Sequence, residues 1–311
     1  MHQLLVDRAA PVRMRCPSCG SELGDFPASP ADPIHCVHCE YSINWDQDCW
    51  DACVDKTYRR DFARQWILWE AGRLGDPNVI YGVSPEDRFR EFLNLTGLSP
   101  EQLKSMRILE VGFGHGRLLK ELQKWCPMAY GLDLSRPLRS ARLRPGSAIF
   151  GNLLSIPFMP HQFDLVICRG VIHMTPDPQK GFDCVAEQVA PGGMFYMGGL
   201  YEPGKGNLAL RKIFPGIWNY PEFARLAVAH FFSPFRAALE TIRSGKPRWK
   251  AFKRSCAHYK LDIFDVICPR WTSVHMEDEV LGWFAEEGFE AHKVGYGDYV
   301  GIRTDCSSAR P

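Results

Sequence analysis

No apolar run in the sequence approaches the roughly 18 residues that a membrane-spanning helix needs. The opening stretch, MHQLLVDRAAPVRMRCP, also lacks the apolar core of a secretory signal. The chain is therefore expected in the cytoplasm. Net charge is missing too: 37 Lys+Arg stand against 36 Asp+Glu, a total of +1. That total singles out no polyanionic partner. There is no internal repeat and no low-complexity tract, which leaves solenoids and disordered arrays out. At 45% hydrophobic and 23% charged residues the composition is that of an ordinary globular protein. The 311 residues allow about two domains, or one large domain with an appendage.

Cysteine, by contrast, is plentiful. Twelve cysteines in a cytoplasmic chain read as metal ligands and scattered buried thiols, not as a disulfide framework. Four stand in two close pairs, Cys16-x2-Cys19 and Cys36-x2-Cys39, with sixteen residues between the pairs. Each C-x2-C turn aims two thiolates at one point, and two turns complete the closed tetrahedral shell of structural zinc. The intervening SELGDFPASPADPIH is too rich in Gly, Pro and Ser to hold a core of its own. His35 and His38 are substitute ligands to consider, and Cys49 and Cys53 form a weaker C-x3-C pair. A closed site has no open position for substrate, so the zinc is expected to be structural.

From about residue 55 the texture turns to aromatic helices. Asp55 to Leu74 carries Tyr58, Phe62, Trp66 and Trp69 at helical spacing, a stripe that suits packing. Ser84-Pro85 opens a second helix, which Gly97 closes, and Ser99-Pro100-Glu101-Gln102 opens a third with a capping box. Strands and helices then alternate. Strands are predicted at Arg107–Val111, Ala129–Leu134, Ala148–Gly151, Phe163–Arg169 and Met194–Gly199, with helices at His115–Trp125, Ser135–Leu143 and Asp177–Ala190. After a long departure come a helix at Glu277–Glu287 and short strands near Glu290–Val294 and Tyr299–Arg303. Such alternation means an α/β fold: a doubly wound, mostly parallel seven-stranded sheet with helices on both faces.

The sharpest motif leaves the first of these strands: Glu110-Val111-Gly112-Phe113-Gly114-His115-Gly116. Glycines let backbone come close to a ligand, and the following helix offers free N–H groups. Asp133 ends the second strand, where an acid can accept from ribose hydroxyls. The dinucleotide fingerprint is G-x-G-x-x-G. Here the loop runs G-x-G-x-G, with Arg117 where the last glycine should fall.

That loop, the acid of GLDLS, NLLSIPF, FDLVICRGVIHMTPDP and APGG together resemble a class I S-adenosylmethionine-dependent methyltransferase, whose fold is Rossmann-like. The resemblance covers about residues 105–200 plus the terminal helix and strand pair. A ribbon followed by such a domain is similar to several bacterial small-molecule methyltransferases and, more distantly, to a ribosomal RNA guanine methyltransferase. The resemblance implies that Glu110 and the backbone of Gly112, Gly114 and Gly116 hold the methionine end of the cofactor. It implies that Asp133, followed by Leu134, binds the ribose, and that Asn152 and Leu153 meet the adenine. Asn152 departs from the usual aspartate, though an amide oxygen still accepts a bond. Phe113 stands where a small residue is commoner and would narrow the loop. Arg169 would line the methionine pocket through its backbone. The implied organisation is a zinc ribbon and linker at 1–54, a helical segment at 55–104, the cofactor domain at 105–200 and 276–306, and a helical cap at 201–275.

Methyl transfer often needs a base. His173, four residues past Arg169, is the best-placed candidate, and an imidazole suits the work. The bland alternative is that it caps Thr175 and the Pro176-Asp177-Pro178 turn. Tyr201 and Glu202 are the other candidates, and His275 and Trp271 stand where the chain returns. Residues 205–260 hold twelve Lys+Arg and only two Asp+Glu, together with many aromatics. Three readings compete for that cap: a lid with solvated basic faces, a site for an anionic or phosphate-bearing substrate, or a surface for anionic membrane or RNA. The expected function is methyl transfer to oxygen, nitrogen or carbon of a small metabolite. The rivals are an RNA base methyltransferase and an inactive protein-interaction module.

Overall fold

The computed structural model describes residues 10–27, 32–46, 49–54, 59–136, 141–204, 208–244 and 249–304, with backbone alone at 59–63, 244 and 249–251. Five short strands come first: β1 (Arg13–Arg15), β2 (Glu22–Asp25), β3 (Ile34–His35), β4 (Ser42–Asp46) and β5 (Cys49–Asp51). Helices α1 (Arg59–Glu70), α2 (Pro85–Thr96) and α3 (Pro100–Leu103) follow. The alternating part holds β6 (Ile108–Val111), α4 (Arg117–Gln123), β7 (Ala129–Asp133), β8 (Ala148–Phe150), β9 (Phe163–Arg169), α5 (Pro178–Ala186) and β10 (Val189–Gly198). The cap contributes α6 (Ala209–Ile213), α7 (Glu222–Ser244) and α8 (Trp249–Ile267). The chain returns through α9 (Glu277–Glu286), β11 (Phe289–Gly295) and β12 (Asp298–Arg303). No helix among the described residues is long and apolar enough to cross a membrane.

The seven expected strands are present in the order β11-β12-β10-β9-β6-β7-β8, with β12 and β11 antiparallel at one edge. Three more extend the sheet to ten, because β5 pairs in parallel with β8 and carries β4 and β3 beside it. Side chains alternate between the faces as a pleat requires. Leu109, Val111, Val166 and Cys168 join a core with α5 and α9, whereas Ile108, Leu165 and Ile167 join one with α2 to α4.

Among the described residues the N-terminal hairpins have no core of their own. Val12, Met14, Phe26, Ile43 and Trp50 are buried in the first of these clusters. Phe26 meets the rings of Trp50, Tyr130 and Phe158 edge-on. Backbone bonds from Arg15 to Pro157 and from Met159 to Arg13 stitch β1 to the loop before β9.

Local signals fell where expected in several elements. Ser84 caps α2 and Gly97 closes it, and Ser99 with Gln102 forms the capping box of α3. Two helices differ. The stretch Asp177–Ala190 is helical only to Ala186, because Val189 already pairs with Phe163. Of Ser135–Leu143, residues 137–140 lie outside the described residues and the rest is not α-helical. Ser135 turns back instead, giving both its N–H and its hydroxyl to Asp133. Tyr58 also lies outside the described residues, as does the side chain of Phe62.

Candidate active site

The carboxyl ends of β6, β7, β8 and β9 open into a cavity of about 550 Å³, roofed by α8 and flanked by α1 and α2. This is where an open parallel sheet holds its ligand. Gly112, at φ +78°, has no room for a side chain: a Cβ there would stand 2.1 Å from Val171 Cγ2. Gly114, at φ +54°, leaves space for the indole of Trp66, which a Cβ would meet at 2.9 Å. Phe113 does not narrow the loop by projecting from it. Its ring is buried over Gly131, where a Cβ would come within 2.6 Å of it.

Two carboxylates share the floor. Glu110 is buried, and its Oε2 has no hydrogen-bond partner. Burial, and then the nearby Asp133, push its pKa up to about 8. Asp133 accepts from the Gly114 N–H at 2.7 Å, the Ser135 N–H at 2.6 Å and the Ser135 hydroxyl at 2.5 Å. Burial still raises its pKa above the ordinary value. A carboxylate offers about four lone-pair sites, so one remains. His115 accepts the Arg117 N–H on Nδ1 at 3.0 Å. Burial, with Arg117 and Arg88 nearby, lowers its pKa to about 3, so its imidazole is neutral.

The cavity wall also includes Leu134, Asn152, Leu153, Arg169, His173 and Tyr201. Asn152 is not wholly available: its Oδ1 takes the Leu154 N–H at 3.0 Å and caps a short 3-10 turn. His173 is fully buried, its ring centroid 4.0 Å from that of Tyr201. The local caps are supplied by others, since Thr175 Oγ1 donates to Ile172 O and Asp177 accepts the Lys180 N–H. Gly116 stands outside the cavity wall as the N-cap of α4. Glu202 is outside it as well, accepting from Gly297 N at 2.9 Å and pairing with Lys293 Nζ at 2.7 Å. His275 and Trp271 do not reach the cavity; His275 is held between Ser273 and Glu279.

Several cavity residues escaped the sequence reading. The central one is Asp265 of α8. It accepts from Gln65 Nε2 at 3.0 Å and from the Tyr201 hydroxyl at 3.3 Å, and Tyr81 bonds it too. Asp262 lies one turn away on the same wall. The visible signal was their rarity, as acids that follow a basic stretch at i and i+3.

At the N-terminus the thiols of Cys16, Cys19, Cys36 and Cys39 all lie within 4.8 Å of one another. Cys16 and Cys39 are 3.5 Å apart, and Cys19 and Cys36 are 3.6 Å apart. These gaps are far too long for disulfides. They are close to the spacing of about 3.8 Å that a tetrahedral ion with bonds of about 2.3 Å imposes. Neither histidine belongs to this cluster, and His35 bonds Ser42 instead. Cys49 and Cys53 are likewise apart from it.

A family described as a methyltransferase domain matches residues 109–197. The chain is 27% identical over 207 residues to a ubiquinone biosynthesis O-methyltransferase of Neisseria meningitidis serogroup C, covering 58% of this chain and 77% of that protein. It is 31% identical over 107 residues to the protein of the same name from Escherichia fergusonii, covering 32% of this chain and 45% of the other. Among solved structures, it is similar to magnesium protoporphyrin IX methyltransferase of Synechocystis PCC 6803 with bound SAH. That likeness has 14% identity, covers 80% and 100% of the two chains, and has a TM-score of 0.46. Residues 109–197 form a methyltransferase domain, and the chain is an S-adenosylmethionine-dependent methyltransferase. Its cofactor is S-adenosylmethionine.

Proposed function

We propose that the chain moves a methyl group from S-adenosylmethionine to a hydroxyl of a small, largely apolar ring compound. The observation that carries this reading is a single cavity joining Glu110 and Asp133 to His173, Tyr201 and Asp265. When bound, the cofactor supplies an electrophilic methyl on a sulfonium. The chain's own residues orient it. Glu110, buried with an unpartnered oxygen, suits a cationic amino group. Asp133 has a lone pair left for a ribose hydroxyl, and Leu134, Asn152 and Leu153 border the adenine. Gly112, Phe113, Gly114 and Gly116 shape the loop, and Arg169 closes the methionine end.

The substrate side is walled by Trp66, Ile80, Tyr81, Val83, Met174 and Leu200. These suit a ring, as do relatives named O-methyltransferases. A phosphate-bearing substrate is less well served: from the cap, Asp262 and Asp265 face the cavity beside Arg236. RNA is less well served for the same reason. His173 is our candidate for holding the acceptor's proton. We further propose that Cys16, Cys19, Cys36 and Cys39 hold one structural zinc.

Two measurements test the cofactor assignment. Asp133→Ala should weaken S-adenosylmethionine binding by about 1–3 kcal/mol in calorimetry; wild-type affinity in that variant rejects the role. Glu110 gives a pH test. A carboxyl whose folded pKa is raised favours the folded state below its unfolded pKa of about 4.5, and that stability is lost as pH rises toward about 8. A bound cation reverses the preference, so at pH 6.5 binding should release a proton and affinity should rise with pH up to about 8. Calorimetry in buffers of different ionisation enthalpy reads that proton directly. Its persistence in Glu110→Gln would remove Glu110 from the cofactor site. For the acceptor, labelled methyl should pass to a catechol probe and not to the matched aniline; the reverse outcome overturns the hydroxyl assignment.

A further inference from the structure

Of the described residues of α7, Arg236 alone lines the substrate cavity, on a wall shared with Tyr81, Tyr259, Asp262 and Asp265. Its guanidinium carbon stands 5.3 Å from the centroid of the Tyr259 ring. A ring face attracts a guanidinium but leaves its five N–H donors to find acceptors elsewhere. Arg236 has not found them: its Nε is buried with no hydrogen-bond partner, and among the described residues the side chain makes no ion pair. A buried donor left in this state is costly until a ligand answers it.

The other arginines of the wall are satisfied within the protein. Arg88 pairs with Glu91, Arg117 donates to the carbonyls of Pro77 and Asn78, and Arg169 is held by Asp298 and Tyr196. Two neighbouring acids answer other donors. Glu240, one turn on along α7, bonds the Tyr259 hydroxyl, and Asp265 takes Gln65, Tyr81 and Tyr201. A carboxylate from outside fits Arg236 best. It is planar, carries one charge and takes two parallel N–H bonds from a guanidinium. A phosphate carries up to about two charges, which Asp262 and Asp265 on the same wall would repel. A neutral carbonyl or hydroxyl would leave the cation without a counter-charge.

We propose that Arg236 holds a carboxylate of the acceptor, so that the enzyme prefers ring compounds carrying both a hydroxyl and a carboxylic acid. The inference rests on the reading that the cavity takes a hydroxylated ring. Arg236 sets specificity and takes no part in the transfer itself. The methyl passes from the sulfonium sulfur to the hydroxyl oxygen, that oxygen's proton leaves, and the carboxylate stays unmethylated.

Calorimetry on the full chain loaded with S-adenosylhomocysteine tests this without turnover. The probes are protocatechuate, a catechol bearing one carboxylate, and its primary amide. The acid should bind about 10–100-fold more tightly than the amide. Arg236→Gln should abolish that preference and leave affinity for the amide within about threefold. Arg236→Lys should keep part of the preference, because it keeps the charge and loses the fork. Unchanged affinity of Arg236→Gln for S-adenosylhomocysteine confirms an intact site. Equal affinity of the wild type for acid and amide, no binding of either, or a preference that survives in Arg236→Gln overturns the proposal. The hydroxyl reading fails separately. Labelled methyl reaching catechol with no gain from the added carboxylate keeps that reading and removes Arg236 from it. Tight, Arg236-dependent binding of the acid, with methyl passing to the aniline and not to the catechol, does the reverse.

Discussion

Alanine at His173 should lower turnover by roughly 10²–10⁴-fold, the usual worth of a general base, and leave cofactor affinity nearly unchanged. A base acts on the acceptor and not on the sulfonium. The pH profile should also lose its acidic limb. The structure adds a condition. The His173 ring lies under that of Tyr201 at 4.0 Å, and the Tyr201 hydroxyl is tied to Asp265. Both rings line the same cavity, so the tyrosine bears directly on how the imidazole would meet an acceptor. Tyr201→Phe removes the tie and keeps the ring, so it should retain turnover within about threefold, well short of the loss at His173. If His173 merely supports the tyrosine, its alanine variant loses about 1–3 kcal/mol of stability and keeps its turnover at low temperature. Measuring melting and turnover together on both variants decides the matter.

If the four-cysteine cluster holds the proposed zinc, its removal should lower the melting temperature of the entire chain, not only of its N-terminal hairpins. Structural zinc supplies folding free energy directly, and losing one ligand costs several kcal/mol. For a domain of this size that is on the order of 10 °C. The reason it spreads is the shared core. Phe26, held in place by the hairpins, packs edge-on against Trp50, Tyr130 and Phe158, and β5 extends the main sheet. Scanning calorimetry of Cys16→Ser, with elemental analysis of the wild type, makes the check. No zinc in the purified protein, together with an unshifted transition in the variant, would remove the metal from the account. A shift confined to a small separate transition would instead make the ribbon an independent appendage.

The cysteine cluster shows how far local pattern reaches. Two C-x2-C turns specify their own geometry, because each fixes two sulfurs within a few residues. The caps of α2 and α3 were legible for the same reason, and so was β9, whose apolar run suits a strand buried on both faces. The glycine loop and Asp133 were legible because one strand end and the turn after it set their positions. Asp265 was not, since its partners Gln65 and Tyr201 are 200 and 64 residues away. Glu202 misled for a related reason. It follows β10 closely, yet Gly297 and Lys293 of the last hairpin draw it away from the cavity.

Sequence alone therefore determined the alternating α/β order, the four-cysteine cluster, the glycine loop at the strand end and the class of chemistry. Each rests on residues near one another in the chain, where backbone periodicity and turn geometry act. Only the tertiary structure decided that the ribbon joins the main sheet through β5 and β8, and that a basic cap turns two carboxylates inward. It also decided that α7 turns Arg236 toward the same cavity. These outcomes depend on which surfaces meet when distant segments close on one another, and a three-residue strand or a single aspartate carries no local mark of its partner.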